Sequence, residues 1–247
     1  MAAGSGESSS WTDSNRFKSE GYVVTARGHF SPDLLRFLAD LKRNNRREWF
    51  LANRERYESE LREPFLRFIS DFGPRLAKIS RFFVADPRPS GGSLFRIYRD
   101  TRFSKDKSPY KTHAAAHFRH RAASQDVHAP GFYLHLEPRG CFAASGLWRP
   151  DGPAVDKVRD AIVEHPAEWR KVRKTLTIEG ESLVRPPKGY DSSHPFLEDL
   201  KRKDFVTSVR FSDRQVTSPR FLSDFAAACK KMSPLVKFTT EALGLSW

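Results

Sequence analysis

Six cations crowd into residues 96 to 111: Arg96, Arg99, Arg102, Lys105, Lys107 and Lys111, opposed only by Asp100 and Asp106. A guanidinium group is a rigid fork that matches the oxygens of a carboxylate or phosphate two at a time. Read as a strand, LFRIYRDTRF sets Arg96, Tyr98, Asp100 and Arg102 on one side and Phe95, Ile97, Arg99 and Phe103 on the other. Asp100 would then order the guanidinium groups through charge-assisted hydrogen bonds. One carboxylate cannot neutralise three arginines, so the surplus charge asks for an anion or for water. Three readings fit the spacing: a specific anion site, an ion-pair network drawing on acids such as Glu48 or Glu137, or diffuse contact with nucleic acid. The spacing alone does not separate them. The candidate ligand contacts are Arg96, Arg99, Asp100, Arg102, Lys107, Tyr110 and Lys111. If a reaction occurs, residue type makes Asp100 or Asp106 the acid or base and Tyr110 a proton donor.

Secondary candidates lie elsewhere. Arg46 and Arg47, in LKRNNRREWFLANRERY, form either a second wall of the site or the solvated face of a helix that buries Trp49, Phe50 and Tyr57. Trp148 with Arg149, and Lys188 with Tyr190, either rim a pocket or anchor loops by a buried ring. His113 and His117 share a face on a helix or a strand, and His128 and His135 could approach across a hairpin. With no cysteine or acid nearby in the segment, ordinary half-buried histidines are expected and no metal. The pair Gly91–Gly92 before the arginine segment reads as a turn. Nucleophile elbow, Walker loop, dinucleotide fingerprint and zinc-protease motif are all absent, so no cofactor is expected.

These residues need elements to hold them. Residues 1–20 are rich in Ser and Gly and read as a disordered tail, and 21–247 as one domain, with a short strand at Tyr22 to Thr25. Ser31, Pro32 and Asp33 open a helix whose Leu34, Leu35, Leu38 and Leu41 recur at helical spacing. A second helical stretch follows, divided at Pro64 and at Phe72-Gly73-Pro74. KTHAAAHFRH, GFYLHLEPRG and CFAASGLWRP read as an antiparallel meander. Helices return at PAVDKVRDAIVEH and PAEWRKVRKTL, then a short helix capped by Ser193 or His194. DFVTSVRFS is a late strand, and the last helical segment is interrupted at Pro234. Helices, strands, then helices imply α+β: an antiparallel sheet with helices packed on it.

In RIYRDTRFSKDKSPYKTH, the series Arg96, Arg99, Asp100, Arg102, Phe103, Lys107 and Tyr110 resembles the signature of a widespread, mainly bacterial family called domain of unknown function 2461. That pattern is Arg-x-x-Arg-Asp-x-Arg-Phe, followed closely by a Lys and a Tyr. LKRNNRREWFLANRERYE, PGFYLHLEP, GLWRPD and PPKGYDSSHPFLEDLKRKDF are similar too, so the resemblance spans roughly residues 28 to 245. It implies one intact domain and carries no activity.

The formal net charge is +13, and residues 96 to 111 alone hold +4 of it. Such a balance favours anionic partners. Two distant cysteines, Cys141 and Cys229, read as reduced packed thiols. No apolar run reaches membrane-spanning length, and the first residues do not read as a signal peptide. The expectation is a cytoplasmic protein with an arginine-rich, aromatic-lined pocket for a small phosphate- or carboxylate-bearing ligand, phosphate favoured, with no membrane association. The competing readings are a nucleic-acid-binding module, or an interaction protein braced by an internal Arg–Asp network.

Overall fold

Ser31 begins the described helical layer: its side chain accepts the Asp33 N–H at 3.1 Å, and Pro32 follows where no donor is needed. The computed structural model describes residues 28–123 and 128–247; the expected tail and the strand at Tyr22 to Thr25 lie outside the described residues. Helix α1 (Pro32–Arg43) buries Leu34, Leu35, Phe37, Leu38 and Leu41 along one stripe. A short turn leads to α2 (Arg47–Ala52), α3 (Arg54–Arg56), a π-helical turn (Tyr57–Arg62) and α4 (Glu63–Ala77).

Pro64 falls at the start of α4, directly after the wide turn. The expected break at Phe72-Gly73-Pro74 is not formed, because Phe68, Phe72 and Leu76 bury on one continuous stripe across Pro74. An interior proline costs about 3 kcal/mol, and burial of those rings and of Leu76 outweighs it. Pro234 is carried in the same way inside the unbroken α9 (Phe221–Ala242), which buries Met232, Leu235, Val236 and Phe238 around it.

The strands β1 (Ala114–Arg119), β2 (Gly131–Leu136), β3 (Cys141–Leu147) and β4 (Phe205–Phe211) form one antiparallel sheet in that order. Between β3 and β4 the chain leaves to form α5 (Gly152–Glu164), α6 (Pro166–Thr175) and the short α7 (Leu197–Leu200). Neither Ser193 nor His194 is the cap of α7: that position is Phe196, and the Ser193 hydroxyl turns back to Asp191. The short α8 (Asp213–Val216), closed by a Ser212–Gln215 capping box, joins β4 to α9.

Strand alternation decides what the two faces carry. One face presents Phe118, Phe132, Leu134, Leu136, Ala143 and Phe211 to α1, α4 and α9. There Phe72 meets Phe118 at 4.7 Å and Phe225 at 4.8 Å between ring centroids. Leu147 and Phe205 extend this side into a second cluster with Val158, Ile162, Trp169 and Phe238. The Trp169 indole donates to buried Asp199 at 2.9 Å, and Arg173 and Arg202 each approach that carboxylate to 3.1 Å. The fold is α+β and a single domain, with helices stacked on one side of the sheet.

The opposite face carries His117, Tyr133, His135, Phe142, Ala144, Ser208 and Arg210. Irregular straps close both edges of the sheet. Phe95 N–H donates to the Ala115 carbonyl and His117 N–H to Ser93, both at 2.9 Å, along the outer edge of β1. Glu179 N–H donates to the Val206 carbonyl at 2.7 Å along β4.

Candidate functional site

The register of the sheet builds a hollow on the open face. Along it, His117 stands opposite Tyr133, Tyr133 opposite Ala144, and Ala144 opposite Ser208. In the adjacent row His135 faces Phe142, and Phe142 faces Arg210. Small residues in the middle, Ala144, Gly131 and Gly146, leave space that longer neighbours wall in. The result is a cavity of about 760 Å³, bounded by Phe95, Lys111 and His113 from one strap and by Trp148 and Glu179 on the other side. Most of the lining is ring or aliphatic surface, the usual composition of a small-molecule site.

The polar groups in this hollow are ordered. His135 is held between two rings: His113 lies 4.4 Å away at 28°, and Phe142 lies 4.6 Å away at 16°. The Tyr133 oxygen is 3.1 Å from His135 Nδ1, and His135 Nε2 is 3.5 Å from the Glu137 carboxylate. Lys42 from α1 reaches the other oxygen of Glu137 at 3.2 Å. Burial opposes ionisation of Glu137, but Lys42 and His135 outweigh it and hold its pKa below the ordinary value. Glu137 is therefore a carboxylate, and its charge 3.5 Å away favours the His135 tautomer with the hydrogen on Nε2. Nδ1 is then the acceptor, and the Tyr133 hydroxyl donates to it.

Burial moves the neighbouring groups toward their neutral forms. It lowers His113 to about 4, helped by His135 and Lys111, and His117 to about 3, helped by Arg119 and His128. It lowers His135 as well, and raises the Tyr133 phenol to about 12. The Lys111 amine is lowered by burial and by nearby Arg96. Its ammonium donates to the Arg96 carbonyl at 2.8 Å and sits 5.4 Å from the centre of the Phe95 ring. At the opposite edge, the Ser208 hydroxyl lies within hydrogen-bond distance of both oxygens of Glu179, at 2.9 and 3.0 Å.

The arginine segment takes another form than the expected strand. It pairs with itself only briefly: Arg99 N–H donates to Pro109 at 2.9 Å, Lys111 N–H to Ile97 at 2.8 Å, and Tyr98 bridges to Tyr110. A turn at Thr101–Ser104 folds the chain back, so residues 97 to 111 make a finger and its tip carries no strand. The expected array around Asp100 does not form, because each acid pairs with a single arginine. Asp100 binds Arg102 at 2.7 Å, and Asp106 binds Arg99. Arg102 lowers Asp100 to about 2; the Ser108 hydroxyl and backbone, then Arg99, lower Asp106 further. Both acids are therefore fixed anions at neutral pH, and neither lines the hollow.

The remaining candidates separate. Lys111 and Trp148 line the cavity. Lys107 donates to the Thr101 carbonyl at 3.0 Å inside the finger. Tyr110 is buried, stacked on Phe50 at 4.2 Å, and its backbone is clamped by Asn45, which donates at 2.8 Å and accepts at 3.0 Å. Arg46 and Arg47 stay at the surface at the start of α2, as the solvated face of that helix. Arg149 lies over Trp148 at 5.0 Å, and its backbone donates to Asp204 at 2.6 Å. Lys188 belongs to a loop and does not line the hollow, and its neighbour Tyr190 anchors that loop by donating to Asp160 at 2.8 Å. His135 is approached by His113, and the His128 ring lies 6.2 Å from that of Trp148. Gly91 and Gly92 belong to a turn held by Ser93 N–H on the Asp86 carbonyl at 2.8 Å. No group of three His, Cys, Asp or Glu among the described residues is placed to hold a metal ion. Cys141 and Cys229 are both buried and free.

Tyr133, His135 and Glu137 were absent from the candidate contacts, although GFYLHLE carries them at every second position. On a strand that spacing sends all three to one face. Arg210, Ser208 and Glu179 have no such signal, since they converge only through strand order.

A family model described as conserved hypothetical protein (DUF2461) matches residues 33–238, and the chain belongs to that family. No curated protein and no solved structure matches the chain. No helix among the described residues is long and apolar enough to cross a membrane.

Proposed function

We propose that this member of the conserved hypothetical protein (DUF2461) family binds a small organic anion in the hollow on the open face of its sheet. One observation carries the reading: an aromatic floor lies between two cations, Lys111 and Arg210, that have no acidic partner among the described residues. Phe95, Tyr133, Phe142 and Trp148 suit a planar body. A single cation toward each edge suits a carboxylate better than a phosphate dianion, because Arg99 and Arg102 are already engaged by acids. In this reading Arg96, Arg99, Asp100, Arg102, Lys107 and Tyr110 form the frame, and the base of the finger presents Phe95 and Lys111. Two buried free thiols suit a reducing cytoplasm.

A second reading has its own observation. Phe103 is 94% exposed at the tip of the finger, with the Arg102 guanidinium 5.8 Å from its ring centre and Lys105 and Lys107 nearby. An exposed ring among cations is the arrangement on which a nucleobase stacks.

One experiment weighs the two. Thermal unfolding of wild type, Ala144→Phe and Arg96→Ala/Arg102→Ala is measured against carboxylates, phosphate, nucleotides, sugar phosphates and short DNA and RNA. The expected result is stabilisation of wild type and of the double arginine variant by a carboxylate, lost in Ala144→Phe, whose added ring fills the floor. At a hundred times its Kd a ligand adds about 2.7 kcal/mol, an easily read shift. A shift lost in the double variant and kept in Ala144→Phe would move the site to the finger. Salt-sensitive oligonucleotide binding lost in the double variant would favour the nucleic-acid reading.

A further inference from the structure

The hollow holds more than a binding site requires. A receptor for an apolar anion has no need of a phenol, an imidazole and a carboxylate in series. Here Glu137, His135 and Tyr133 stand in line on one face, running from the edge of the cavity to its floor. The imidazole is stacked with both His113 and Phe142, which oppose its turning. The carboxylate favours the tautomer with the hydrogen on Nε2, and Lys42 holds the carboxylate at 3.2 Å. Among the described residues, the only hydrogen-bond partner of the Tyr133 hydroxyl is His135 Nδ1. Its oxygen therefore keeps a lone pair for a group lying over Ala144.

We propose that Tyr133, backed by His135 and Glu137, is a general base that removes a proton from the carbon next to the carbonyl of a 2-oxo acid bound in the hollow. This rests on the hollow being the ligand site proposed above. The substrate C–H bond breaks and its electron pair moves onto the carbonyl oxygen, giving an enolate. The released proton bonds to the Tyr133 oxygen while the Tyr133 hydroxyl proton passes to His135 Nδ1. The phenol ends neutral and His135 becomes an imidazolium beside the Glu137 carboxylate, so charge and atoms balance without an added oxidant or reductant. Lys111 faces the same hollow and supplies the cation for the enolate oxygen. Arg210 at the opposite edge takes the substrate carboxylate as a two-pronged donor. The reverse transfer returns a proton to carbon, so the minimal activity is exchange of the substrate's α-hydrogens with solvent. Burial opposes the imidazolium that this relay forms, and the Glu137 carboxylate beside Nε2 favours it.

The test is hydrogen–deuterium exchange of pyruvate, 2-oxoglutarate and phenylpyruvate in D2O, followed by proton NMR, with binding read separately by thermal shift. Wild type is expected to accelerate exchange of at least one of them about 100-fold or more, the range of positioned acid–base catalysis. Tyr133→Phe keeps the ring and removes the oxygen; it is expected to lose the acceleration, compared at substrate concentrations where its own thermal shift shows the hollow filled. His135→Gln is expected to lose it as well. Glu137 acts through His135 and is a positioning residue: Glu137→Gln should reduce exchange about tenfold and shift the His135 nitrogen signals away from the Nε2–H tautomer. Binding without exchange in wild type overturns the relay and leaves the binding site standing. Exchange that survives Tyr133→Phe also overturns it, and absence of both binding and exchange overturns the two proposals together.

Discussion

The finger at residues 97 to 111 and the open face of the sheet carry opposite lessons about where chemistry collects. The finger is dense in charge along the chain, and its charges find partners within a few residues. Arg102 reaches two residues back to Asp100, and Arg99 reaches seven forward to Asp106. Such pairs are solvated, screened and worth little each. The open face is sparse along the chain: its groups come from two straps and all four strands between Phe95 and Arg210. There burial withholds water, so His113, His117, His135 and Tyr133 all shift toward their neutral forms. Density in sequence marks local neutralisation, whereas convergence in space makes a desolvated site.

The sharpest way to break this contrast is to disturb the packing of the open face. Gly131 starts β2 beneath the His117 ring; a Cβ there would come within 2.5 Å of His117 Nε2 and 2.7 Å of the Phe118 carbonyl. The carbonyl is backbone and cannot step aside. Gly131→Ala is therefore expected to destabilise the protein by about 2–3 kcal/mol, as overpacking does, and to abolish ligand-induced thermal shifts. Urea unfolding of the two proteins measures the difference. A variant as stable as wild type would mean that the wall of the hollow is loose.

Much of this architecture could be read from the chain and some could not, for reasons specific to each part. The Ser31 cap, the leucine stripe of α1, the meander and the late strand β4 all follow from local rules of capping and periodicity, and all are present. Pro74 and Pro234 misled because a proline's cost is local, while the burial that overrides it comes from rings distant in sequence. The arginine segment misled in another way. Its alternation was genuine over Ile97 to Arg99, but the turn after Thr101 hides in polar residues that suit either form. Lys111 and Trp148 were candidate contacts by type, and both line the hollow. His135 and Tyr133 were legible only with the strand alternation applied to chemistry as well as to burial. Arg210 and Glu179 needed the strand order β1-β2-β3-β4, which no single segment encodes.

A second prediction uses pH to sharpen the comparison. The groups facing His117 are Tyr133 across the register, Phe95, Arg119 and His128; those facing His113 are His135, Lys111 and Glu137. Both imidazoles are held neutral in the fold, at about 3 for His117 and about 4 for His113, against 6.5 when exposed. As pH falls through 6.5 the unfolded chain takes up protons that the folded chain refuses, so stability falls with pH. The loss continues until each folded value is reached, and stability is flat above about pH 7.5. One such group contributes a slope of on the order of 1 kcal/mol per pH unit. Above about pH 5.5 the histidines act largely alone, since the depressed carboxylates add to the slope only as pH falls toward their unfolded values, 4.5 for Glu137 and 3.8 for Asp100 and Asp106. His117→Gln is expected to flatten this part of the urea-unfolding profile, and an unchanged slope would show that His117 is solvated.

The smallest effect should come from the most charged region. Arg102 is 77% exposed at its side chain, and its partner Asp100 is 44% exposed. Coulomb attraction there works against water and salt, and the side-chain freedom lost in holding the pair offsets most of the gain. Arg102→Ala is therefore expected to leave stability within the small range of ordinary surface substitutions and to leave carboxylate-induced thermal shifts intact. A clear loss in urea unfolding would instead make the finger a structural brace whose ion pairs are shielded from solvent. Loss of ligand response at unchanged stability would return the arginines to the site and reverse the ranking of the two regions.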